Sequence, residues 1–246
     1  MHSRILKTMG LASVSLALSL LVAPSSGFAA VSAKKAPPPT VEANYQMNEA
    51  NGATTMVDSS GHGLNAPINQ AGLDTGVSYG GAVGYLWAQR SPTQPPASPE
   101  RVIQIPDNAR LDPGSDTFTV EIRYRTKNKF GNITQKGQSA SKGGQWKIQN
   151  PGGRPSCLFK GSAGRVAARS KIALNDNQWH TIKCVREPNR VTIWVDGVNN
   201  NRKNGQSGVI DNKIPMTIGG KINCDQIKTT CDYYSGMIDY VKISRG

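Results

Sequence analysis

The carboxylates of this sequence are arranged in a way that argues against glycoside hydrolysis. That reaction needs two carboxyl groups flanking the scissile bond, one as the acid and one as the nucleophile or base. The chain has five glutamates, and none has a second acid two residues away, where a strand would place both on one face. Glu121 lies on the clearest predicted strand, but its neighbours on that face are Thr119 and Arg123. We therefore predict no glycosidase centre.

Other catalytic chemistry also lacks candidate residues. A polysaccharide lyase needs a tyrosine or histidine base beside a cation, and Arg123, Tyr124 and Arg125 are adjacent in the sequence. Strand alternation, however, places Tyr124 on the face opposite both arginines. His62 lies between glycines in a predicted loop, and His180 follows a tryptophan in a strand, where we expect a structural role. The sequence predicts a protein that is not an enzyme, with a polysaccharide-active enzyme as the alternative.

The N-terminus has the layout of a secretory signal peptide. Two cations precede an apolar run, Gly10 to Pro24, which is too short to cross a bilayer and is followed by small residues. We divide the chain into a signal peptide (1–30), a proline-rich linker (31–40) and one folded domain (41–246). We expect a secreted, extracellular protein without an integral membrane span; an uncleaved anchor is the alternative.

The charge balance is strongly basic, with a formal net charge of +13 at pH 7. The segment from Ile122 to Asn175 has no acid but contains twelve cations. These are Arg123, Arg125, Lys127, Lys129, Lys136, Lys142, Lys147, Arg154, Lys160, Arg165, Arg169 and Lys171. Such a field attracts polyanions over about a Debye length, about 8 Å at physiological salt. Outside the cell, we expect an anionic glycan, a cell-surface polymer or an acidic lipid surface and no nucleic acid; the alternative is charge that only improves solubility.

Four cysteines in an exported chain indicate disulfides. Cys157, Cys184, Cys224 and Cys231 permit three pairings, of which we favour Cys157–Cys184 with Cys224–Cys231. The first pair would join neighbouring strands across a loop of about 27 residues, worth about 3.5 kcal/mol in the chain-entropy model. A zinc site is the alternative, although the sequence has neither a C-x2-C motif nor a nearby pair of histidines.

The elements that must position these residues are short strands. The stretch from Trp179 to Gly197 contains two β-rich runs around Pro188-Asn189, which predicts a hairpin that ends in a tight Asp196-Gly197 turn. We assign Trp179 and Trp194 to the sheet core.

Two further strands alternate clearly. Thr117–Thr126 places Phe118, Val120, Ile122 and Tyr124 on one face. The final strand, Gly236–Ser244, alternates between two sets, the first being Met237, Asp239, Val241 and Ile243 and the second Ile238, Tyr240 and Lys242. Many short strands with glycine-rich turns and no long helical period predict an all-β sandwich or jelly roll.

Four stretches together resemble a known family. They read NYQMNEANGATTMVDSSGHGLNAPI, FTVEIRYRT, WHTIKCVREPNRVTIWVDG and MIDYVKIS, and their order is similar to that of bacterial laminin-G-like domains of the concanavalin A-like lectin/glucanase superfamily. The resemblance covers nearly all of 41–246. It implies an all-β jelly-roll sandwich of two antiparallel sheets, with the N- and C-terminal strands side by side. Members include carbohydrate-binding modules, adhesion domains and, on related jelly rolls, enzymes, so the fold alone does not define the function.

The resemblance also suggests ligand sites. Such folds often hold calcium at the rim of the sandwich, and we predict Asp58 and Asp239 as its ligands because the terminal strands should lie close together. Aromatic rings stack on sugars while polar groups bind hydroxyls. Our candidates for ligand binding are Arg123, Arg125, Trp146, Tyr233 and Tyr234. We expect a monomeric, non-catalytic module that binds a glycan or another extracellular surface partner; a protein-binding adhesion domain is a further alternative.

Overall fold

The computed structural model describes residues 38–68, 77–79, 83–87, 102–222 and 232–246, whose regular structure is β-strand with no α-helix. The predicted signal peptide and the pair Cys224 and Cys231 lie outside the described residues. The strands are β1 (Thr40–Tyr45), β2 (Thr55–Met56), β3 (Ala66–Pro67), β4 (Val77–Tyr79), β5 (Tyr85–Trp87), β6 (Ile103–Ile105), β7 (Phe118–Arg125), β8 (Asn132–Lys136), β9 (Gln145–Gln149), β10 (Ser156–Gly161), β11 (Gly164–Arg169), β12 (His180–Glu187), β13 (Arg190–Val195), β14 (Val198–Asn204), β15 (Met216–Ile218) and β16 (Gly236–Arg245). Two single 3-10 turns span Ala109–Leu111 and Pro151–Gly153.

Two antiparallel sheets face each other across one core. The large sheet has the strand order β14-β13-β12-β7-β16-β5-β4, with β1 also paired to β16. The small sheet has the order β11-β10-β9-β8-β15-β6, and β2 and β3 form a separate two-stranded ribbon. The first and last strands are therefore side by side. This arrangement confirms the predicted all-β jelly-roll sandwich.

The strongest sequence patterns form the centre of the large sheet. In β7, Phe118, Val120, Ile122 and Tyr124 are all buried and the residues between them are partly exposed, as predicted. Strands β12 and β13 form the predicted hairpin. Asp196 and Gly197 adopt φ values of 48° and 79°, the left-handed geometry of a tight turn into β14.

The core contains the predicted disulfide and an aromatic cluster. Cys157 and Cys184 are bonded, with their Cα atoms 5.7 Å apart, and both are fully buried. The pairing is confirmed, but the expectation that it joins neighbouring strands is wrong, because β10 belongs to the small sheet and β12 to the large one. The bond crosses the two layers. Beside it, the rings of Phe118 and Trp146 lie 5.8 Å apart across the same interface.

A β-bulge in β16 overturns the predicted alternation of the last strand. Ile238 pairs with Tyr124 and Tyr240 with Arg123, so Asp239 is the extra residue. As a result, Asp239 and Tyr240 are both partly exposed, whereas Ile238 and Val241 are both buried. A bulge changes the face to which the following side chains point, while the strand continues. The two halves of β16 therefore follow different alternation patterns.

Strand β14 was not predicted from the sequence. Its residues, VNNNRKN, are mostly exposed and do not alternate, yet they pair with β13 along its whole length. It is the terminal strand of the large sheet, and polar, charged side chains are typical of such edges. Its strand geometry is imposed by the template beside it and not by a hydrophobic pattern of its own.

Candidate functional site

The face of the large sheet that points away from the small sheet carries a continuous row of polar and aromatic side chains. Opposed residues on six successive strands form this row, which we call the outer-face track. In order they are Asn199, Trp194, Lys183, Glu121, Lys242 and Asn44. Directly opposed residues in an antiparallel sheet have Cβ atoms about 5 Å apart. The track is therefore a spaced array of donors and acceptors with one large ring near its end.

Two shallow depressions lie along the track. The first, which we call the amide-rich depression, has a volume of about 470 Å³. Its lining consists of three amides, two acids, a phenol and an amine: Asn44, Gln46, Asn48, Glu121, Asp239, Tyr240 and Lys242. The second, the cation-rich depression, has a volume of about 340 Å³ and is lined mainly by Lys183, Arg190, Arg202, Trp194 and Asn199. Both are open to solvent from the outer face.

The two arginines predicted to bind a ligand lie on this face, beside a tryptophan. The Cζ atoms of Arg123 and Arg125 are 4.7 and 5.1 Å from the centroid of the Trp179 ring. Arg123 also donates from a terminal nitrogen to Asp239 Oδ2 at 2.5 Å. The structure thus brings together Arg123 and Asp239, which the sequence had assigned to a ligand site and a calcium site respectively.

The two predicted calcium ligands are engaged by donors of the protein itself. Asp58 accepts hydrogen bonds from the backbone N–H groups of Asn44, Ser60 and Leu64 and from the Ser60 hydroxyl. Burial would raise the pKa of Asp58, but these donors outweigh it and lower the pKa. Among the described residues, no group of three or more His, Cys, Asp or Glu side chains could hold a metal ion. A calcium ion at Asp58 or Asp239 would have to displace these donors, and calcium binding stays a prediction.

Two of the three aromatic residues predicted to bind a ligand are core residues, which is a correction. Trp146 has no exposed surface, and its indole Nε1 donates to Leu111 O at 2.9 Å. Tyr234 is 2% exposed, and its hydroxyl lies 2.9 Å from two backbone carbonyl oxygens. Neither ring can contact a ligand on the surface. Tyr233 is partly exposed and packs beside Gly220, where a Cβ atom would lie 2.8 Å from its ring.

The two tryptophans assigned to the core lie instead on the outer face. Trp194 is partly exposed between two buried neighbours, Ile193 and Val195, and Lys183 Nζ is 5.2 Å from its ring centroid. Trp179, just before β12, is also partly exposed. The alternation of β13 already contained this information, because Trp194 is out of phase with the apolar residues on either side of it.

Three ionisable side chains on this face, Glu121, Asp239 and Tyr240, lie near one another, which the sequence did not predict. Glu121 and Asp239 line the same depression from neighbouring strands although they are far apart in the chain. Tyr240 donates its hydroxyl to Glu121 Oε1 at 2.8 Å; burial, together with that carboxylate, raises the pKa of Tyr240 to about 12. Tyr240 therefore keeps its proton at neutral pH and is not a base.

His180 is held at both ring nitrogens. Nδ1 is 2.8 Å from Asp196 Oδ2, and Nε2 is 3.1 Å from Asp176 Oδ1. Burial would lower the pKa of His180, but the two carboxylates outweigh it and raise the pKa. A histidine that uses both nitrogens in this way acts as a clasp between two loops, with no free nitrogen for proton transfer.

The sequence also contains one G-x-S-x-G motif, at 76–80, which serine hydrolases place on a sharp turn between a strand and a helix. Ser78 is here the middle residue of β4, paired with Leu86 of β5. An extended strand does not present the nucleophile of such an elbow.

The twelve cations between Ile122 and Asn175 do not gather in one groove. Arg123 and Arg125 lie on the outer face of the large sheet, whereas Lys147 lies on β9 of the small sheet. Lys136 has no exposed side-chain surface and binds Asp107 and Asp112 at 2.8 and 2.7 Å. A single polyanion groove built from all of them is therefore ruled out.

Comparison with known proteins identifies the fold family. Residues 97–246, more than half of the chain, match a laminin G-type family model described as the concanavalin A-like lectin/glucanases superfamily. A search of curated protein sequences finds no match. No helix among the described residues is long and apolar enough to span a bilayer.

Similar solved structures share the fold at low sequence identity. Domain 4 of AbnA, a GH43 extracellular arabinanase from Geobacillus stearothermophilus in complex with arabinotriose, is 14% identical with a TM-score of 0.58; the match covers 85% of this chain and 93% of that one. The binding domain of Paraclostridial Mosquitocidal Protein 1 is 14% identical with a TM-score of 0.53 and coverages of 84% and 48%. Mouse laminin alpha1 domains LG4-5 are 17% identical with a TM-score of 0.47 and coverages of 65% and 46%. The chain thus spans about half the length of the last two.

Proposed function

This chain belongs to the laminin G-type family of the concanavalin A-like lectin/glucanases superfamily, and we propose that it is an extracellular, non-catalytic domain that binds a glycan on the outer face of its large sheet. The observation that carries the proposal is the outer-face track, which crosses six strands and passes through both depressions. The extracellular location is supported by the signal-peptide layout of residues 1–30.

The amide-rich depression carries groups that can form hydrogen bonds with the hydroxyl groups of a sugar. Asn44, Gln46 and Asn48 each offer a donor and an acceptor, and Glu121 and Asp239 accept from hydroxyl groups. Sugar rings present adjacent hydroxyls that both donate and accept, so mixed amide and carboxylate groups bind them better than cations alone would. Asn44, Glu121 and Asp239 also project from sheet strands, which hold them at fixed spacing.

The cation-rich depression supports recognition of an acidic substituent. Lys183 lies over the Trp194 ring, and Arg202 lines the same depression, while Arg190 is already bound to Glu187. A carboxylate or sulfate group could replace water around Lys183 and Arg202 while a sugar ring stacks on Trp194. This arrangement favours a glycan with anionic units at one end of the track and neutral ones at the other.

The test is calorimetric titration of the protein with a panel of neutral and acidic oligosaccharides, including arabino-oligosaccharides because a fold neighbour was solved with arabinotriose. For the ligand that binds, we expect Trp194→Ala and Asn44→Ala each to weaken affinity about tenfold, consistent with about 1.4 kcal/mol for a lost stacking or hydrogen-bonding contact. Lys213→Ala, an exposed change remote from the track, is the control and should leave affinity unchanged. Equal effects of all three variants, or no oligosaccharide binding together with capture of a protein partner, would contradict the proposal.

A glycoside-cleaving enzyme is the second candidate, because Glu121 and Asp239 share one depression. A glycosidase acid, however, needs surroundings that keep one carboxyl group protonated. Glu121 accepts a hydrogen bond from Tyr240 and lies between Lys183 and Lys242 in the register, and Asp239 is bound to Arg123. New reducing or unsaturated ends produced by the wild type and abolished by Glu121→Gln would establish this candidate and displace the first.

A further inference from the structure

Three loops at one end of the sandwich form a hydrogen-bonded rim. They are 126–131 between β7 and β8, 150–155 between β9 and β10, and 170–179 between β11 and β12. Gly153 N donates to Lys129 O at 2.8 Å, and Leu174 N donates to Gly153 O at 2.8 Å. Each loop is therefore fixed to the next, and together they present one surface, which we call the basic rim.

The basic rim carries five exposed cations. Four lie on the loops themselves, Lys127, Lys129, Arg154 and Lys171, and the fifth is Arg169, the last residue of β11, whose guanidinium donates to Pro151 O of the middle loop at 2.7 Å. None of them forms an ion pair with any acid in the described part of the chain. The rim's two nearby acids, Asp176 and Asp196, both bind His180. The positive charge of these five side chains is therefore not neutralised within the rim.

Two large apolar side chains stand among these cations. Phe130 is 51% exposed and Ile172 is 50% exposed, one on each of the outer two loops. Each directly follows a lysine in the sequence, Lys129 or Lys171. Contact with water or with a hydrophilic polyanion does not lower the free energy of apolar side chains exposed within a cationic surface. They gain free energy where the anionic partner also has an apolar layer beneath its charges.

We propose that the basic rim docks onto an anionic phospholipid surface. The five cations contact the phosphate groups of the lipids, and Phe130 and Ile172 enter the boundary between headgroups and acyl chains. A soluble sulfated or uronic polymer would account for the cations but not for the two apolar side chains between them. This surface lies at the end of the sandwich and is separate from the outer-face track.

The opposite end of the sandwich offers control positions. Val209 is 50% exposed there, and Lys213 is paired with Asp211. Val209 and Lys213 therefore provide matched controls for an apolar and a cationic change. Val209→Gln removes one exposed apolar side chain and Lys213→Gln removes one positive charge, each without touching the basic rim.

Flotation of the full chain with vesicles tests the docking. The vesicles contain equal parts of phosphatidylglycerol and phosphatidylcholine, or phosphatidylcholine alone; because all variants share the same N-terminal segment, its contribution cancels between them. We expect the wild type to partition more strongly onto the vesicles that contain phosphatidylglycerol than onto those of phosphatidylcholine alone. The double variant Lys129→Gln/Lys171→Gln should lower partitioning about 25-fold, at about fivefold per cation. Phe130→Gln/Ile172→Gln should lower it at least tenfold, while Val209→Gln and Lys213→Gln leave it unchanged.

A soluble polyanion distinguishes the two kinds of partner. Binding to a sulfated polysaccharide should depend on Lys129 and Lys171 but not on Phe130 and Ile172. Partitioning onto anionic vesicles that is equal for the wild type and the Phe130→Gln/Ile172→Gln variant would overturn the proposal and identify a purely electrostatic polyanion surface. Equal partitioning onto anionic and neutral vesicles would overturn it as well.

Discussion

Tryptophans and cations occur both in the interior between the two sheets and on the outer face of the large sheet. Those in the interior are buried and bonded to other buried groups, whereas those on the outer face are partly exposed. In the interior, Trp146 donates to a buried carbonyl, and the Lys136 ammonium sits between two carboxylates and the Asn212 carbonyl oxygen. On the outer face, Lys183 lies over the partly exposed ring of Trp194, and two arginines lie over the partly exposed ring of Trp179. Because these cations lie at the surface, a ligand can take their place over the tryptophan rings. We therefore expect substitutions in the inner set to lower stability, and substitutions in the outer set to affect the proposed binding.

The largest expected effect is the difference in the free energy of unfolding between variants of Trp146 and Trp194. Trp146→Ala should lower the free energy of unfolding by about 4 kcal/mol, because it leaves a large cavity and an unsatisfied carbonyl at Leu111. Trp194→Ala, which removes a partly exposed ring, should cost about 1 kcal/mol or less. Urea denaturation of both variants measures the difference. Equal losses would show that the outer-face ring is as firmly packed as the inner one, and would weaken its assignment to ligand binding.

The next effect compares two lysines that each contact an acid. Lys136→Ala removes the buried cation that bridges Asp107 and Asp112, and should cost about 3 kcal/mol because a buried carboxylate loses its partner. Lys213→Ala breaks an exposed pair with Asp211, which water screens, and should leave the free energy of unfolding almost unchanged. The same denaturation experiment measures both. A small loss for Lys136→Ala would mean that water reaches the interior pair.

The smallest expected effect is the pH dependence of the His180 clasp. The pKa of His180 is raised in the folded state, so its contribution is complete below its unfolded pKa of about 6.5 and is lost as pH rises through the folded pKa. The pKa of Asp176 is lowered, so its contribution is lost only as pH falls through that lower value. The free-energy difference between wild type and His180→Gln should be greatest near pH 5.5 and remain below about 1 kcal/mol. A difference that grows between pH 6 and pH 8 would contradict the assignment.

Local patterns predicted the parts of the fold where burial alternates regularly. Strand β7, the β12–β13 hairpin and the Cys157–Cys184 bond all followed from such patterns or from cysteine count, and the structure contains them. The patterns failed at β14, which pairs because its neighbour offers a free edge, and at Asp239, where a bulge shifts the alternation by one residue. Neither a free edge nor a bulge leaves a signal in the hydrophobic pattern of one strand.

The candidate site was only partly predictable, for a related reason. Arg123 and Arg125 were correctly placed on the polar face of β7, since alternation decides which side of a strand a residue occupies. Trp146 and Tyr234 were exchanged with Trp179 and Trp194. The alternation of β13 indicated the outer face for Trp194, but Trp179 and Tyr234 lie outside the strands, where residue type alone does not distinguish a ring that fills the core from one that covers the surface. The sequence did not indicate that Glu121 and Asp239 line the same depression, because they lie on neighbouring strands more than a hundred residues apart in the chain.

The sequence by itself determined that this chain is a basic, all-β sandwich and indicated the Cys157–Cys184 cross-link, because strand periodicity, turn residues, charge and cysteine count are properties of the chain itself. Only the tertiary structure decided which strands are neighbours, and therefore which side chains form the outer-face track, where the cations lie and which tryptophans are free to meet a ligand. The physical reason is that a binding surface is composed of residues brought together by strand pairing between distant segments, and pairing order and register depend on how the whole core packs.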